Sequence, residues 1–275
     1  MMASITDCVV EGLKYPFNDL KKVLCFGVLF TLTNLISFAI SFKFLDILKA
    51  FSKLSDHGNN VVSIFQLPAN DMYMMIALLI ISLIIVLFIN GYEWAIVKCS
   101  INKTENLPGF DNIREMFVNG VKYFIVTVVY NIIPLVLLGI GMRFINESFG
   151  LILVLISIVL FIIANFLLIM AINNMVAHDN FKKAFDFKEI TGNISNLGWG
   201  KYVGILIFTF IVYFIIMIAI GLILSIITMF IMTGINDNFI VVSIILAVIE
   251  GLFISSYMGI FYNRVFGLIY RESIK

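Results

Sequence analysis

Residues 148–170 read SFGLILVLISIVLFIIANFLLIM, 23 residues with no charge. A helix needs about 20 residues to cross ~30 Å of hydrocarbon, so the run is span-sized. Its one amide, Asn165, lies nearer the polar stretch INNMVAHD that follows. The rest of the chain has the same character. It is 61% hydrophobic and 13% charged, with a mean hydropathy of +1.08, whereas a soluble domain is about half apolar and about a quarter charged. That balance belongs to an integral membrane protein, whose first partner is the lipid bilayer, with other membrane proteins as further partners. A net charge of +1 speaks against nucleic acid, which calls for a basic stripe.

Charges punctuate the chain at span-sized intervals. None falls between Lys22 and Lys43, between Asp71 and Glu93, or between Lys122 and Arg143, leaving runs of 20, 21 and 20 residues. A further run from Tyr202 to Asn236 holds 35 residues, which suits one long or tilted helix ending in MTGINDN. The last, from Asp237 to Arg264, is broken by Glu250 alone. Lipid offers no partner for backbone N–H and C=O groups, so each span is helical. The expected fold is all-α: a polytopic bundle of six transmembrane helices at 23–42, 72–92, 123–142, 149–171, 202–230 and 239–262, in one membrane domain over 1–275.

With both termini inside, the cytoplasmic segments hold 14 Lys and Arg and the outer loops 4, so both termini are expected in the cytoplasm of a cell-membrane protein. Trp94, Trp199, Tyr123 and Tyr202 fall at inner span ends, where aromatic rings anchor. Residues 1–22 mix acids with lysines, and the first apolar run is long enough to span and stay. Cys8, Cys25 and Cys99 all map to the inner side, which argues against a disulfide.

A pattern recurs three times in one direction: amphipathic segment, lysine, span, outer turn, returning span. The units run over about 1–97, 98–172 and 173–275, as parallel helix hairpins. Residues 110–120 and 181–189 carry apolar residues at helical spacing and are expected to lie as helices along the cytoplasmic interface. In the first outer loop KFLDILKAFSKL (43–54) reads as another amphipathic helix, followed by a polar turn at SDHGNN.

The stretches LPGFDNIREMFVNGVK (107–122) and FKKAFDFKEITGNISNLGWGKYVG (181–204), each leading into a span, resemble a family of multi-pass membrane proteins found mainly in archaea and classed as a domain of unknown function. GLKYPFNDLKK (12–22) fits its opening, so the resemblance covers nearly the whole chain. It implies six spans and supplies no functional residues. The layout is more loosely similar to the membrane domains of glycerophosphodiester phosphodiesterases, although no phosphodiesterase domain is present.

No catalytic signature emerges. His57 and His178 lie on opposite sides of the membrane and cannot share a metal, and there is no HExxH, GxSxG or GxxxxGK. No catalytic, cofactor or metal site is expected. The candidates are polar groups at membrane depth: Asn34, Asn131, Asn165 and Glu250, with Tyr257 supplying a hydroxyl. They form either inter-helix hydrogen bonds of about 0.6–2 kcal/mol each or a polar pathway. Glu93 lies at a span end where a carboxylate reaches water. In the sixth span Ser243, Ala247, Gly251, Ser255 and Gly259 form a small-residue ribbon that brings helices close, so this helix is expected to be enclosed. Glu250 is then expected to be buried, protonated and hydrogen-bonded to an amide such as Asn131, Asn34 or Asn165.

Three functions fit: a non-catalytic scaffold or accessory membrane component, a transporter or channel using the midplane polar groups, or a lipid-handling enzyme at the interface. A scaffold requires a dry bundle with those groups paired. A transporter requires a wet cavity converging on them.

Overall fold

The computed structural model describes residues 5–55, 69–234 and 239–275. Among them the regular elements are helices. A short α1 (Ile5–Lys14) and a 3₁₀ turn (Tyr15–Asn18) precede α2 (Leu20–Ser55) and α3 (Ala69–Ile101). Then come α4 (Ile113–Arg143), α5 (Ser148–Ala177), a 3₁₀ turn (Phe181–Phe185) and α6 (Phe187–Leu197). The chain ends with α7 (Trp199–Gly234), α8 (Phe239–Ile249), a π turn (Glu250–Ser255) and α9 (Ser256–Ser273). Six stretches are long and apolar enough to cross a bilayer: Leu20–Leu45, Asn70–Ile101, Ile113–Arg143, Ser148–Ala177, Trp199–Ile231 and Ile240–Ser273. The chain is a multi-pass, all-α membrane bundle. Beyond Ser55 the SDHGNN turn lies outside the described residues, as does the end of MTGINDN.

Most of these stretches exceed the ~20 residues that hydrocarbon requires. In α3, α5 and the sixth span the surplus lies at the end that carries α1, α6 and the end of α9, called here the collar end. The three buried clusters concentrate there. One joins Val9, Ile190, Tyr202, Phe261 and Ile269; a second joins Tyr15, Phe26, Tyr92 and Ile260; a third joins Trp94, Val126, Met175 and Ala184. Towards the far end Leu79, Ile133, Leu155, Phe214 and Met229 are exposed. That pattern suits lipid, which is as apolar as leucine and does not drive helices together.

The segment at 110–120 is not an interfacial helix. Asn112 caps α4, accepting from Glu115 N at 3.2 Å while its amide donates to Glu115 Oε2 at 2.9 Å. From there α4 continues unbroken into its span. The cause is a glycine crossing: a Cβ on Gly91 would overlap the Met116 carbonyl, and one on Gly120 would overlap the Leu87 carbonyl. Backbone contact at this level holds the start of α4 upright against α3. Residues 181–189 divide between a 3₁₀ turn and the first residues of α6. Gly198, with φ of 92°, turns the chain from α6 into α7. The outer segment KFLDILKAFSKL is a continuation of α2 rather than a separate helix.

The sixth span packs against α2 and α3 and is buried in its α9 part. Ile240, Val241, Ile244 and Phe253 of its outer half are exposed, so it is not enclosed throughout. The peripheral helix is α7, with none of its most apolar 18 residues buried. Part of the small-residue ribbon meets α2. A Cβ on Gly251 would come within 2.5 Å of Thr31 Cα, and one on Gly27 within 2.5 Å of Leu252 O. Gly259 faces the Phe26 and Phe30 rings, and the Ala247 carbonyl faces Asn34. Ser243 and Ser255 are half-buried. The π turn begins at this crossing, a feature that often marks functional sites in helices.

Candidate functional site

Two polar assemblies stand out. The first ties the collar together. The connection between α3 and α4 has no regular structure, so its carbonyls need partners from elsewhere. Side chains supply them: Tyr15 to Asn106 O (2.9 Å), Asn18 to Glu105 O (2.8 Å), Lys22 to Leu107 O (2.7 Å), Tyr92 to Pro108 O (3.1 Å) and Arg264 to Thr104 O (2.9 Å). Arg264 is 2% exposed. Its Nη2 donates to Glu11 Oε1 at 2.6 Å, and its guanidinium lies 4.1 Å from the centre of the Tyr15 ring. Burial pushes the Tyr15 hydroxyl well above its ordinary value, so it stays a neutral donor. An open hollow of about 540 Å³ beside Glu11, Tyr15 and Arg264 completes this assembly.

Tyrosines pin the other side of the collar. Tyr270 donates to Asn174 Oδ1 at 2.7 Å, and Asn174 donates to Lys183 O at 3.0 Å. Tyr130 donates to Ala184 O at 2.7 Å, Tyr202 to Phe166 O at 2.5 Å and Tyr257 to Leu13 O at 2.7 Å. On the surface Asp186 caps α6 at Glu189 N (3.2 Å) and pairs with Lys183, which also pairs with Glu189. The Lys183 hydrogen bond, followed by the Glu189 N–H, holds the Asp186 carboxyl below its usual range.

The second assembly is a notch of about 280 Å³ between α3, α4, α5 and α9, with Tyr123, Thr127, Asn165, Asn173 and Asn263 in its lining. Asn165 Nδ2 donates to Asn131 Oδ1 at 2.9 Å and to Phe161 O at 2.8 Å. Asn131 donates to Thr127 O at 2.9 Å, Asn173 to Ile169 O at 2.7 Å and Asn263 to Gly259 O at 2.9 Å. From α3, Glu93 faces Tyr123 and Asn263. Asn173 is 1% exposed, and its Oδ1 has no hydrogen-bond partner.

The expected midplane cluster is thus divided. Asn131 and Asn165 meet. Asn34 makes a long 3.4 Å contact to Ala247 O on α8, and Tyr257 belongs to the collar. Glu250 is exposed at the start of the π turn, with no hydrogen bond among the described residues. Its expected burial against an amide does not hold: the close face of the sixth span at this level belongs to Gly251, and the neighbouring position points away. Glu93, Tyr123 and Arg264, expected at span ends, are internal instead, and Asn173 and Asn263 join them. The apolar run VFGLIY after Arg264 (265–270) was the signal that the helix stays buried beyond that charge. Trp94 is likewise 1% exposed rather than an anchoring ring.

Among the described residues no group of three or more His, Cys, Asp and Glu is placed to hold a metal ion. The family described as "Protein of unknown function (DUF4013)" matches residues 74–225, a stretch that includes Glu93, Tyr123, Asn131, Asn165 and Asn173. An uncharacterized protein of Methanocaldococcus jannaschii is 26% identical over 288 residues, covering 98% of each chain. No solved structure matches this chain.

Proposed function

We propose, for a chain that belongs to this family of unknown function, the role of a non-catalytic scaffold or accessory component of the cell membrane. Its termini and collar face the cytoplasm, and its spans form a frame closed to solutes. The observation that carries this reading is the pairing of the deep amides. Asn165 and Asn131 bond to each other and to carbonyls of their own helices, the pairing a scaffold requires. Glu250, the acid a proton or ion pathway would employ, lies apart from them.

The orientation is supported by the 14-to-4 excess of Lys and Arg on the collar side. The partners are lipid, along the exposed apolar belt, and other membrane proteins, on a collar whose loops are fixed by side-chain bonds. The near-neutral chain is not expected to bind nucleic acid. Proteoliposomes test the reading. Vesicles carrying the protein should be no more permeable to protons, potassium or glycerol than empty ones, and Asn165→Leu should lower thermal stability without changing permeability. Saturable flux abolished by Asn165→Leu in a folded variant would replace this reading with transport.

A further inference from the structure

The notch does not end at its polar lining. An apolar groove of about 400 Å³ adjoins it between α5, α7 and α9, walled by Phe161, Phe166, Leu206, Phe210, Tyr262 and neighbours. Asn165, Ile169 and Phe266 line both hollows. A polar recess that opens onto an apolar groove on the lipid-facing side has the shape of an amphiphile. The groove lies in the size range of ligand pockets, about 300–1,000 Å³. The notch has room for roughly nine waters at ~30 Å³ each, hence for one glycerol or one hexose.

The hydrogen-bond inventory sets the chemistry of the head. Much of the donor capacity of the notch is committed to the protein: Thr127 gives its hydroxyl to Tyr123 O, Asn165 both amide N–H groups to Asn131 Oδ1 and Phe161 O, and Asn173 and Asn263 one amide N–H each to Ile169 O and Gly259 O. What lacks a partner is an acceptor, the Oδ1 of the buried Asn173. A buried polar atom without a partner is costly and calls for a specific explanation. An ionised phosphate oxygen only accepts, so it leaves the Asn173 Oδ1 unsatisfied. A hydroxyl brings the missing donor.

We propose that this composite hollow binds an uncharged, hydroxyl-bearing single-chain lipid, with its hydroxyls in the asparagine notch and its chain along the groove between α5 and α7. The site is independent of the scaffold role, since a closed frame can hold such a lipid or lack it. Native mass spectrometry of the full chain in detergent tests it, using three probes with one oleoyl chain: monooleoylglycerol, methyl oleate and 1-oleoyl-glycerol-3-phosphate. Monooleoylglycerol should bind saturably at one site and at least tenfold more tightly than either of the others. Asn173→Leu should weaken it at least tenfold while leaving methyl oleate unchanged. Ile207→Trp, at the exposed wall of the groove, should weaken both. Equal binding of all three probes, preference for the phosphate, or indifference to both variants would mean annular lipid only and overturn the proposal. Should Asn173→Leu fail to fold, the comparison of probes on the unsubstituted chain and Ile207→Trp still decide.

Discussion

Arg264 and Glu11 join the last helix of the chain to its first, Nη2 to Oε1 at 2.6 Å, across 253 residues of sequence. Only one of the two is enclosed: Arg264 is 2% exposed in its side chain and Glu11 39%. Losing Glu11 leaves a buried guanidinium with one carbonyl and one ring for company. Breaking a fully buried pair costs about 3–5 kcal/mol; discounted for the exposure of Glu11, Glu11→Gln should cost about 1–3 kcal/mol. Arg264→Leu should cost more, because the Thr104 carbonyl and the α3–α4 connection also lose their anchor. Thermal unfolding in one detergent, with both variants beside the parent, measures the order.

The contact between α2 and the sixth span rests on two absent side chains. Gly251→Ala would place a Cβ 2.5 Å from Thr31 Cα, which no side-chain rotation relieves, so a loss of about 1–3 kcal/mol is expected. Gly221→Ala in α7 meets nothing within 4 Å and should be neutral or stabilise by about 0.5–1 kcal/mol. If the two substitutions shift the melting temperature alike, the close crossing is wrong.

Much of this was readable beforehand, and the failures have a common cause. Span-sized gaps between charges located all six helices, because hydrocarbon thickness sets their length. The glycines of the ribbon pointed to a close approach. Depth, however, was inferred from charge, and charge does not mark the membrane boundary where helices run on into a protein collar. Glu93 and Arg264 therefore read as wet from the sequence while being packed among neighbours. Glu250 failed for the opposite reason: its distance along the span was legible, but its face depended on which helix Gly251 met.

That face carries its own prediction. An exposed carboxylate deep in a span costs about 2.5–3.5 kcal/mol on insertion scales. Glu250→Leu should therefore fold as well as the parent and insert more readily, with a melting temperature equal or higher. A clear fall would show that Glu250 has a partner and restore the buried reading.

Acid should loosen the α6 region. The Asp186 carboxyl is held below its ordinary value of 3.8, first by Lys183. A depressed acid contributes its stability fully above its unfolded value and loses it as pH falls through the lower folded one. Trp199 reports the junction, since its indole donates to Ser195 at 3.2 Å. Its emission should hold steady from neutral pH to about pH 4 and change only below, and Asp186→Asn should remove that step. A transition centred above pH 5 would assign it to another group.

Cys8 is 4% exposed, and burial raises its thiol to about 11. In a chain whose Cys25 and Cys99 are replaced by serine, N-ethylmaleimide should react slowly with Cys8 until denaturant releases α1. Prompt labelling of the folded protein would mean that α1 is not docked on α9.

The central claim is a frame with no continuous aqueous path, its polar notch closed beyond the Asn131–Asn165 pair. Single cysteines along the inward face of α4, at positions 123, 127, 131, 138 and 141, read this without knowledge of any substrate. The measurement is their reaction with a membrane-impermeant, charged methanethiosulfonate reagent added to one side of oriented vesicles. Labelling at 123 and 127 from the collar side, with 131 and 138 unreactive from either side, is the predicted result. Reaction at 131 and 138 from the far side would reveal a continuous aqueous path and contradict the account.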